Sequence, residues 1–208
     1  GQRKVYIGPF QIFIVANVLL FAMQYFTNVN ILATRLEDYL TEERWGNRAQ
    51  ALVSERVAAS GTTLDAYAPV FDLAVGVYAK SLIILMVLPF SLILPLMFFS
   101  KRLPFAAHVI FSLHFHTFVL LLFSLSLLII AADAQLGESG LGLGFIEGFV
   151  NISNLLALTG YLYLATARAY NSSGIIRLIQ ITVLAWAVGG IFELYRFSIF
   201  LITLYSTT

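Results

Sequence analysis

The sequence PFAAHVIFSLHFHTFVLLLFSLSLLIIAA, residues 104–132, contains no lysine, arginine, aspartate or glutamate. A helix needs about 20 mostly apolar residues to cross the hydrocarbon core of a bilayer, and this stretch is longer than that. The whole chain has the same character: 60% of its 208 residues are hydrophobic, 11% are charged and the mean hydropathy is +0.88. A soluble domain of this size cannot bury so much apolar surface. The sequence therefore predicts an integral membrane protein.

Four further apolar stretches are long enough to cross a bilayer. They cover about residues 9–32, 81–100, 145–167 and 176–204. We therefore predict an all-α fold, a polytopic transmembrane bundle of about five spans that forms one membrane domain over residues 1–208. The second of the five spans contains Pro89 and Pro95, which predict kinks or local breaks. No small-residue cleavage site follows the first span, so we expect it to be retained rather than removed as a signal peptide.

One sizeable segment, residues 33–79, lies outside the predicted spans and carries seven acids and four arginines. Its apolar residues recur at helical spacing: Leu36, Tyr39 and Leu40, then Leu52, Val53 and Val57. Residues 45–47 indicate a break between two helices, and residues 61–69 indicate a turn. We expect an amphipathic, extracytoplasmic helical segment that lies on the membrane surface or caps the bundle.

The charges between the spans predict the orientation of the chain. Six cations fall on one side of the predicted membrane: Arg3, Lys4, Lys101, Arg102, Arg168 and Arg177. The other side holds residues 33–79 and the acids Asp133, Glu138 and Glu147, and Lys80 is the one cation that departs from the pattern. Cytoplasmic loops carry an excess of lysine and arginine. The pattern therefore predicts a multi-pass protein with a cytoplasmic N-terminus and an extracytoplasmic C-terminus.

The composition also bears on chemistry. The net charge is only +1, from 12 lysines and arginines against 11 acids, which gives no indication of a nucleic-acid partner. The absence of cysteine excludes disulfides, thiolate metal sites and thiol catalysis in these residues. No serine-hydrolase, P-loop or dinucleotide-binding pattern occurs in a suitable context. We therefore expect a protein that is not an enzyme and has no cofactor and no metal.

Polar residues inside the spans are costly in hydrocarbon and are the best hints to function. Asn17, Gln24 and Asn28 lie within about 40° of one another on one face of the first span. Such a stripe must face protein or water. Hydrogen bonds between helices are the favoured interpretation, and a substrate path is the alternative.

Two further polar groups lie in the last two spans. Glu193 and Arg196 are three residues apart, a spacing that allows an ion pair on one helix. We favour a structural pair near the outer interface over an ion-coupling site. Asn151 and Asn154 lie at a similar predicted depth in the fourth span, where they predict a small polar cluster.

All three histidines, His108, His114 and His116, lie in the third span. On a regular helix His114 and His116 point about 160° apart, so they cannot ligate one ion together. No other span offers a histidine for haem ligation within one chain. The three are therefore weak candidates for cofactor binding. We expect them to be hydrogen-bonded to neighbours, among them the amides of the first span, while a role in proton handling stays open.

Three segments resemble a widespread family of uncharacterised bacterial inner-membrane proteins. They are YIGPFQIFIVANVLLF (6–21), AAHVIFSLHFHTFVLLLF (106–123) and YLYLATARAYNSSGIIRL (161–178). The matching positions are Tyr6, Pro9, His108, Phe111, His114, His116, Tyr161, Tyr163, Arg168 and Tyr170. Many members also carry an N-terminal zinc ribbon, which these cysteine-free residues lack. The resemblance implies a bacterial inner membrane and draws attention to the histidines, but it implies no activity.

Three functions are compatible with this sequence. The leading one is a non-enzymatic accessory, assembly or scaffold subunit that docks on a larger membrane complex or forms a homodimer, with membrane lipid around it. The second is a small proton- or ion-linked transporter that uses the histidines together with Glu193 and Arg196. The third is a redox subunit that binds haem across a dimer or a quinone near His108.

Overall fold

The computed structural model describes residues 7–27, 29, 31–42, 44–137, 140 and 142–207, without the side chain of Leu143. The protein is 87% helical, and no strand occurs in the described part of the chain. The helices are α1 (Pro9–Thr27), α2 (Leu36–Thr41), α3 (Gly46–Ser60), α4 (Leu64–Ser81), α5 (Val87–Met97), α6 (Phe105–Gln135), α7 (Leu143–Tyr170) and α8 (Gly174–Ser206). The all-α prediction is thus confirmed.

In the part of the chain that the structure describes, four helices, α1, α6, α7 and α8, are long and apolar enough to cross a membrane. The number rises to five if Leu64–Ser81 and Ile83–Met97 form one bent span. The expected second span over residues 81–100 is thus not one straight helix, since it begins at the last residue of α4 and includes α5. Residues Ile83–Met86 form a 3₁₀ turn between α4 and α5. Pro89 follows this turn as the third residue of α5, in the first helical turn, where the N–H that proline lacks would have no helical partner.

The predicted turn over residues 61–69 is also shorter than expected. Gly61 ends α3 in the left-handed conformation at φ 65°, which glycine adopts without steric cost. Thr63 then precedes α4, and its side chain accepts a hydrogen bond from the Ala66 amide. Pro69 lies inside α4 rather than in the turn. A capping threonine two residues after the glycine therefore starts the helix earlier than the proline suggests.

Contacts group the chain into two compact units. The first unit comprises Gly1–Val29 and Met86–Ile191. Its central helix is α6, which packs against α1, α5 and α7. Phe90 of α5 stacks on Phe115 of α6 with ring centroids 4.7 Å apart. The Ser112 hydroxyl of α6 donates to the carbonyl of Val87, the first residue of α5, at 2.9 Å. This hydrogen bond joins the two helices.

The second unit comprises Asn30–Leu85 and Phe192–Thr208. It contains α2, α3, α4 and the C-terminal part of α8. Tyr39, Phe71 and Phe200 form its aromatic core, with ring centroids 4.9 to 6.3 Å apart. All three are buried. The amphipathic helices predicted within residues 33–79 are α2 and α3. Because α3 begins at Gly46, two of the three residues of the predicted break at 45–47 belong to that helix.

Candidate functional site

An open apolar groove lies between α2, α3 and α4 in the second unit. It consists of two adjoining cavities of about 330 Å³ each. The first cavity is lined by Leu40, Gln50, Val53, Ser54, Val57, Ala58 and Leu64. The second is lined by Leu36, Glu37, Leu40, Thr41, Leu64, Asp65 and Ala68. Leu40 and Leu64 belong to both, so the two cavities form one surface, which we call the docking groove.

A close approach between α2 and α3 builds one wall of the docking groove. A Cβ at Gly46 would lie 2.9 Å from the Leu40 carbonyl oxygen, so only glycine fits at the start of α3. The Gln50 side-chain amide donates to the same carbonyl at 2.8 Å. These contacts hold the end of α2 against the first turn of α3. The α3 residues Val53 and Val57 and the first residue of α4, Leu64, then line the groove.

The charged residues that line the docking groove are acidic. Glu37 and Asp65 line the second cavity, and Asp38 is exposed on the same short helix as Glu37. The described lining residues of both cavities include no lysine or arginine. Asp72 is bonded within the unit, because its carboxylate accepts the Leu36 amide at 2.8 Å. The groove therefore combines an apolar floor with a negative margin.

Arg196 of α8 supports the segment that leads from α2 to α3. Its guanidinium lies 3.2 Å from the Glu42 carboxylate and 3.5 Å from the Glu193 carboxylate. It also donates to the Thr34 hydroxyl at 3.1 Å. One arginine thus joins residues on both sides of α2 to α8. The spacing of Glu193 and Arg196 indicates their contact correctly, but it gives no sign of Glu42 or Thr34.

Tyr39 reinforces the same connection. Its hydroxyl donates to the Arg196 backbone carbonyl at 2.9 Å. Burial raises the pKa of Tyr39 to about 12, because the ionised phenolate is poorly solvated inside the unit. Trp45 stacks on Phe197 with ring centroids 4.6 Å apart. Together these contacts fix α2 and the start of α3 to α8.

The end of α8 is bound to α3 and α4 as well. The Arg56 guanidinium donates to the Thr207 carbonyl, with Nη2 at 3.0 Å. The Tyr67 hydroxyl lies 2.7 Å from the Thr207 hydroxyl. Tyr195 donates from its hydroxyl to the Ala79 carbonyl. The three helices that line the docking groove are therefore each held by polar contacts to α8.

The three histidines have separate surroundings in the first unit. His108 Nδ1 lies 2.9 Å from the Tyr170 hydroxyl. His116 is buried, and its Nδ1 donates to the Ser112 carbonyl at 2.8 Å, whereas His114 is exposed. Within the described part of the chain, no three histidine, aspartate or glutamate side chains are grouped so that they could hold a metal ion.

The polar stripe of α1 does not meet the histidines as expected. Gln24 is buried, and neither its Oε1 nor its Nε2 has a hydrogen-bond partner among the described residues. The Oδ1 of half-buried Asn17 likewise has none within that part of the chain. The predicted pairing of these amides with histidines is therefore wrong, since His108 and His116 bond to residues of α7 and α6. Asn28 lies outside the described residues.

The two asparagines of α7, Asn151 and Asn154, have different surroundings. Asn154 Oδ1 accepts a hydrogen bond from the Ser126 hydroxyl of α6 at 3.0 Å. Asn151 is exposed. Thr159 bonds to the Leu155 carbonyl of its own helix. The first of these contacts is an interhelical bond of the kind expected for polar residues in a span.

The sequence pattern does not predict the docking groove, although it identifies several of the apolar residues that line it. The helical spacing of Leu36 and Leu40, and of Val53 and Val57, predicts contact with the membrane surface or with the bundle, but it does not predict a groove. The signal that could have indicated a groove is Gly46, which stands at the predicted break and permits the close approach of two short amphipathic helices.

Comparison of the chain with protein-family models, with curated proteins and with solved structures found no match in any of the three. The resemblance based on the histidine-rich third span and the tyrosine-rich fourth span therefore stays a prediction.

Proposed function

We propose that the protein is a non-enzymatic accessory or assembly subunit of the membrane, which docks on a partner membrane protein through the groove between α2, α3 and α4. The observation that carries the proposal is the groove itself, two adjoining apolar cavities of about 330 Å³ each that are open at the surface. Contiguous apolar surface outside the hydrocarbon region is unfavourable in water and commonly marks a site of protein interaction.

The proposed occupant is a segment of a partner protein that carries apolar side chains next to lysine or arginine. The apolar floor around Leu40, Val57 and Leu64 suits aliphatic or aromatic anchors. The acids Glu37 and Asp65 suit cations that flank those anchors. An anionic lipid headgroup does not suit this margin, because it would face like charge.

The firm support of the groove favours recognition of a partner. The contacts of Arg196, Arg56 and Tyr67 hold α2, α3 and α4 to α8, so the groove does not have to be assembled when the partner arrives. Binding to a preformed surface loses less conformational entropy than binding to a mobile one. This favours a docking role over a role as a passive membrane-surface helix.

The proposal includes a location. We propose a bacterial inner membrane, from the resemblance, with a cytoplasmic N-terminus and an extracytoplasmic C-terminus, from the positions of lysine and arginine. With this orientation the docking groove belongs to the extracytoplasmic side. The partner would therefore present its basic amphipathic segment outside the cytoplasm.

Crosslinking from single cysteines tests the docking groove, since the chain contains no cysteine of its own. Ser54→Cys places a thiol in the groove, and Ala51→Cys places one at an exposed site on the same helix that does not line either cavity. A thiol-directed photocrosslinker in native membranes should join Ser54→Cys, but not Ala51→Cys, to one discrete protein. The crosslinked peptide of that protein should contain apolar residues beside lysine or arginine.

Three outcomes would overturn the proposed occupant. Equal crosslinking from the two positions would show that the groove is not selective. A crosslink between two copies of this chain would make the groove a dimer interface. A lipid adduct without any protein adduct would make it a lipid-binding surface.

A further inference from the structure

Four cations gather at one end of the first unit. They are Lys101, Arg102, Arg168 and Arg177. At this end α5 and α7 terminate and α6 and α8 begin. Among the described residues of the unit the acids are Asp133 and Glu147, which lie near the other ends of α6 and α7. This end therefore carries positive charge without acids beside it.

Two hydrogen bonds join the chain segments at this end of the unit. Lys101 Nζ donates to the Asn171 carbonyl at 3.2 Å, which joins the loop before α6 to the loop after α7. The Gln180 side-chain amide of α8 donates to the Met97 carbonyl at the end of α5, also at 3.2 Å. Arg168 lies three residues before Asn171 on α7. Lys101 therefore lies next to the residues that follow Arg168 at the end of α7.

Arg177 is held against α7 near the C-terminal end of that helix. Its guanidinium lies over the Tyr163 ring, 3.7 Å from the centroid, and donates to the Tyr163 hydroxyl. Tyr163 is five residues before Arg168 on the same helix. Stacking on an aromatic ring orients a guanidinium while leaving other N–H groups available to an anion.

Arg102 occupies a backbone position that favours glycine. Its φ is 48°, in the left-handed region that side chains with a Cβ adopt at a cost. It follows the 3₁₀ turn Phe99–Lys101 and is exposed. Arginine at this position carries a backbone cost that glycine would avoid, which favours a functional role for the Arg102 side chain.

Large apolar side chains adjoin these cations. Phe99, Phe105, Ile175 and Ile176 are exposed to between 51% and 79%. They stand at the ends of the same helices and next to the same loops. A site for free phosphate has no need of such neighbours, whereas the glycerol and acyl part of a lipid would cover them.

We propose that the cationic end of the first unit, which carries Lys101, Arg102, Arg168 and Arg177, binds the phosphate headgroups of anionic phospholipids whose acyl chains lie against the exposed apolar residues of the same helix ends. Lysine and arginine at a membrane surface attract anionic lipids, and guanidinium groups bind phosphate oxygens in pairs of hydrogen bonds. This site is separate from the docking groove and does not depend on it.

Native mass spectrometry of the purified full chain tests the site. The protein is placed in detergent with phosphatidylglycerol or with phosphatidylcholine of the same acyl chains, and the retained lipid is counted after mild activation. We compare the wild type with Lys101→Gln/Arg168→Gln. The control is Arg35→Gln/Arg44→Gln, which removes the same charge from exposed residues of the second unit.

The wild type and the control should retain phosphatidylglycerol in preference to phosphatidylcholine. Lys101→Gln/Arg168→Gln should retain it about thirtyfold more weakly, because each cation near an anionic lipid contributes about fivefold in affinity. Arg102→Gly should also weaken retention while it raises the melting temperature, since glycine relieves the left-handed backbone. That variant separates lipid binding from folding.

Several results would overturn the lipid site. Equal phosphatidylglycerol retention by the wild type and Lys101→Gln/Arg168→Gln would show that these two cations do not bind the lipid. Equal retention of phosphatidylcholine and phosphatidylglycerol by the wild type would show that the protein does not select lipids by the charge of their headgroup. Displacement of the lipid by millimolar inorganic phosphate at the same total concentration of lipid would assign the site to free phosphate.

Discussion

Arg196 of α8 and Glu42, the residue after α2, form an ion pair with an Nη2 to Oε2 distance of 3.2 Å. Glu193, one turn earlier on α8, lies 3.5 Å from the same guanidinium. All three side chains are more than two-thirds buried. Because α2 contributes Leu36, Glu37, Leu40 and Thr41 to the docking groove, the pair supports one wall of the proposed site.

Replacing Arg196 should destabilise the protein. Arg196→Met leaves two carboxylates without their cation, and we expect a loss of about 1–3 kcal/mol in the free energy of unfolding, measured in detergent. Glu42→Gln should cost less, because Arg196 keeps Glu193. The double variant should cost less than the sum of the two single changes. Strict additivity would mean that the two side chains do not interact.

Tyr39 predicts a dependence of stability on alkaline pH. Its pKa is raised by burial from 10.0 to about 12, so the folded state holds the phenol proton more tightly than the unfolded state does. The resulting stabilisation is complete below pH 10 and is lost as the pH rises towards about 12. Between these values the free energy of unfolding should fall more steeply in the wild type than in Tyr39→Phe. Parallel curves for the two proteins would contradict this assignment.

Tyr170 should stabilise the first unit through both its ring and its hydroxyl. The ring stacks on Phe98 with centroids 3.9 Å apart, and the hydroxyl bonds to His108 at 2.9 Å. Tyr170→Phe should cost about 1 kcal/mol, because only the hydrogen bond is lost. Tyr170→Ala should cost about 3–5 kcal/mol, because the aromatic contacts are lost as well. Thermal unfolding in detergent distinguishes this order from two equal losses.

Gln24 should be replaceable without loss of stability. Its amide is buried on the face of α1 that packs against α6, and it makes no hydrogen bond to the described residues. Gln24→Leu should therefore leave the melting temperature unchanged or raise it. The matched change Leu20→Ala, one turn away on the same face, should cost about 2–5 kcal/mol. A marked loss in Gln24→Leu would indicate that the amide is bonded to water or to a ligand.

Much of the fold could be predicted from the sequence because the hydrocarbon core imposes a simple requirement of length and apolarity. Residues 104–132 satisfy it, and α6 spans Phe105–Gln135. Length and apolarity could not predict the break at Leu82, because the residues on both sides of it belong to one continuous apolar stretch. Nor could they predict that Leu64 begins a helix, since Pro69 suggested a turn.

The polar contacts were harder to predict than the helices. Spacing on one helix indicated Glu193 and Arg196, because residues three apart on a helix are neighbours. The partners Glu42 and Thr34 come from distant sequence and depend on how α2 meets α8. The docking groove depends on the close approach of α2 and α3 at Gly46. The spacing of apolar residues along the sequence does not predict that approach.

A native mass spectrum tests the central claim most directly. We compare the wild type, Ala58→Glu in the docking groove and Ala51→Glu outside it, two exposed alanines on α3 that receive the same change. The wild type and Ala51→Glu should carry one partner protein in fixed stoichiometry after extraction in mild detergent. Ala58→Glu should be released without it, because the added carboxylate fills an apolar surface with an acidic margin. A wild type free of any partner, or a partner that Ala58→Glu retains as fully as Ala51→Glu does, would contradict the proposed docking function.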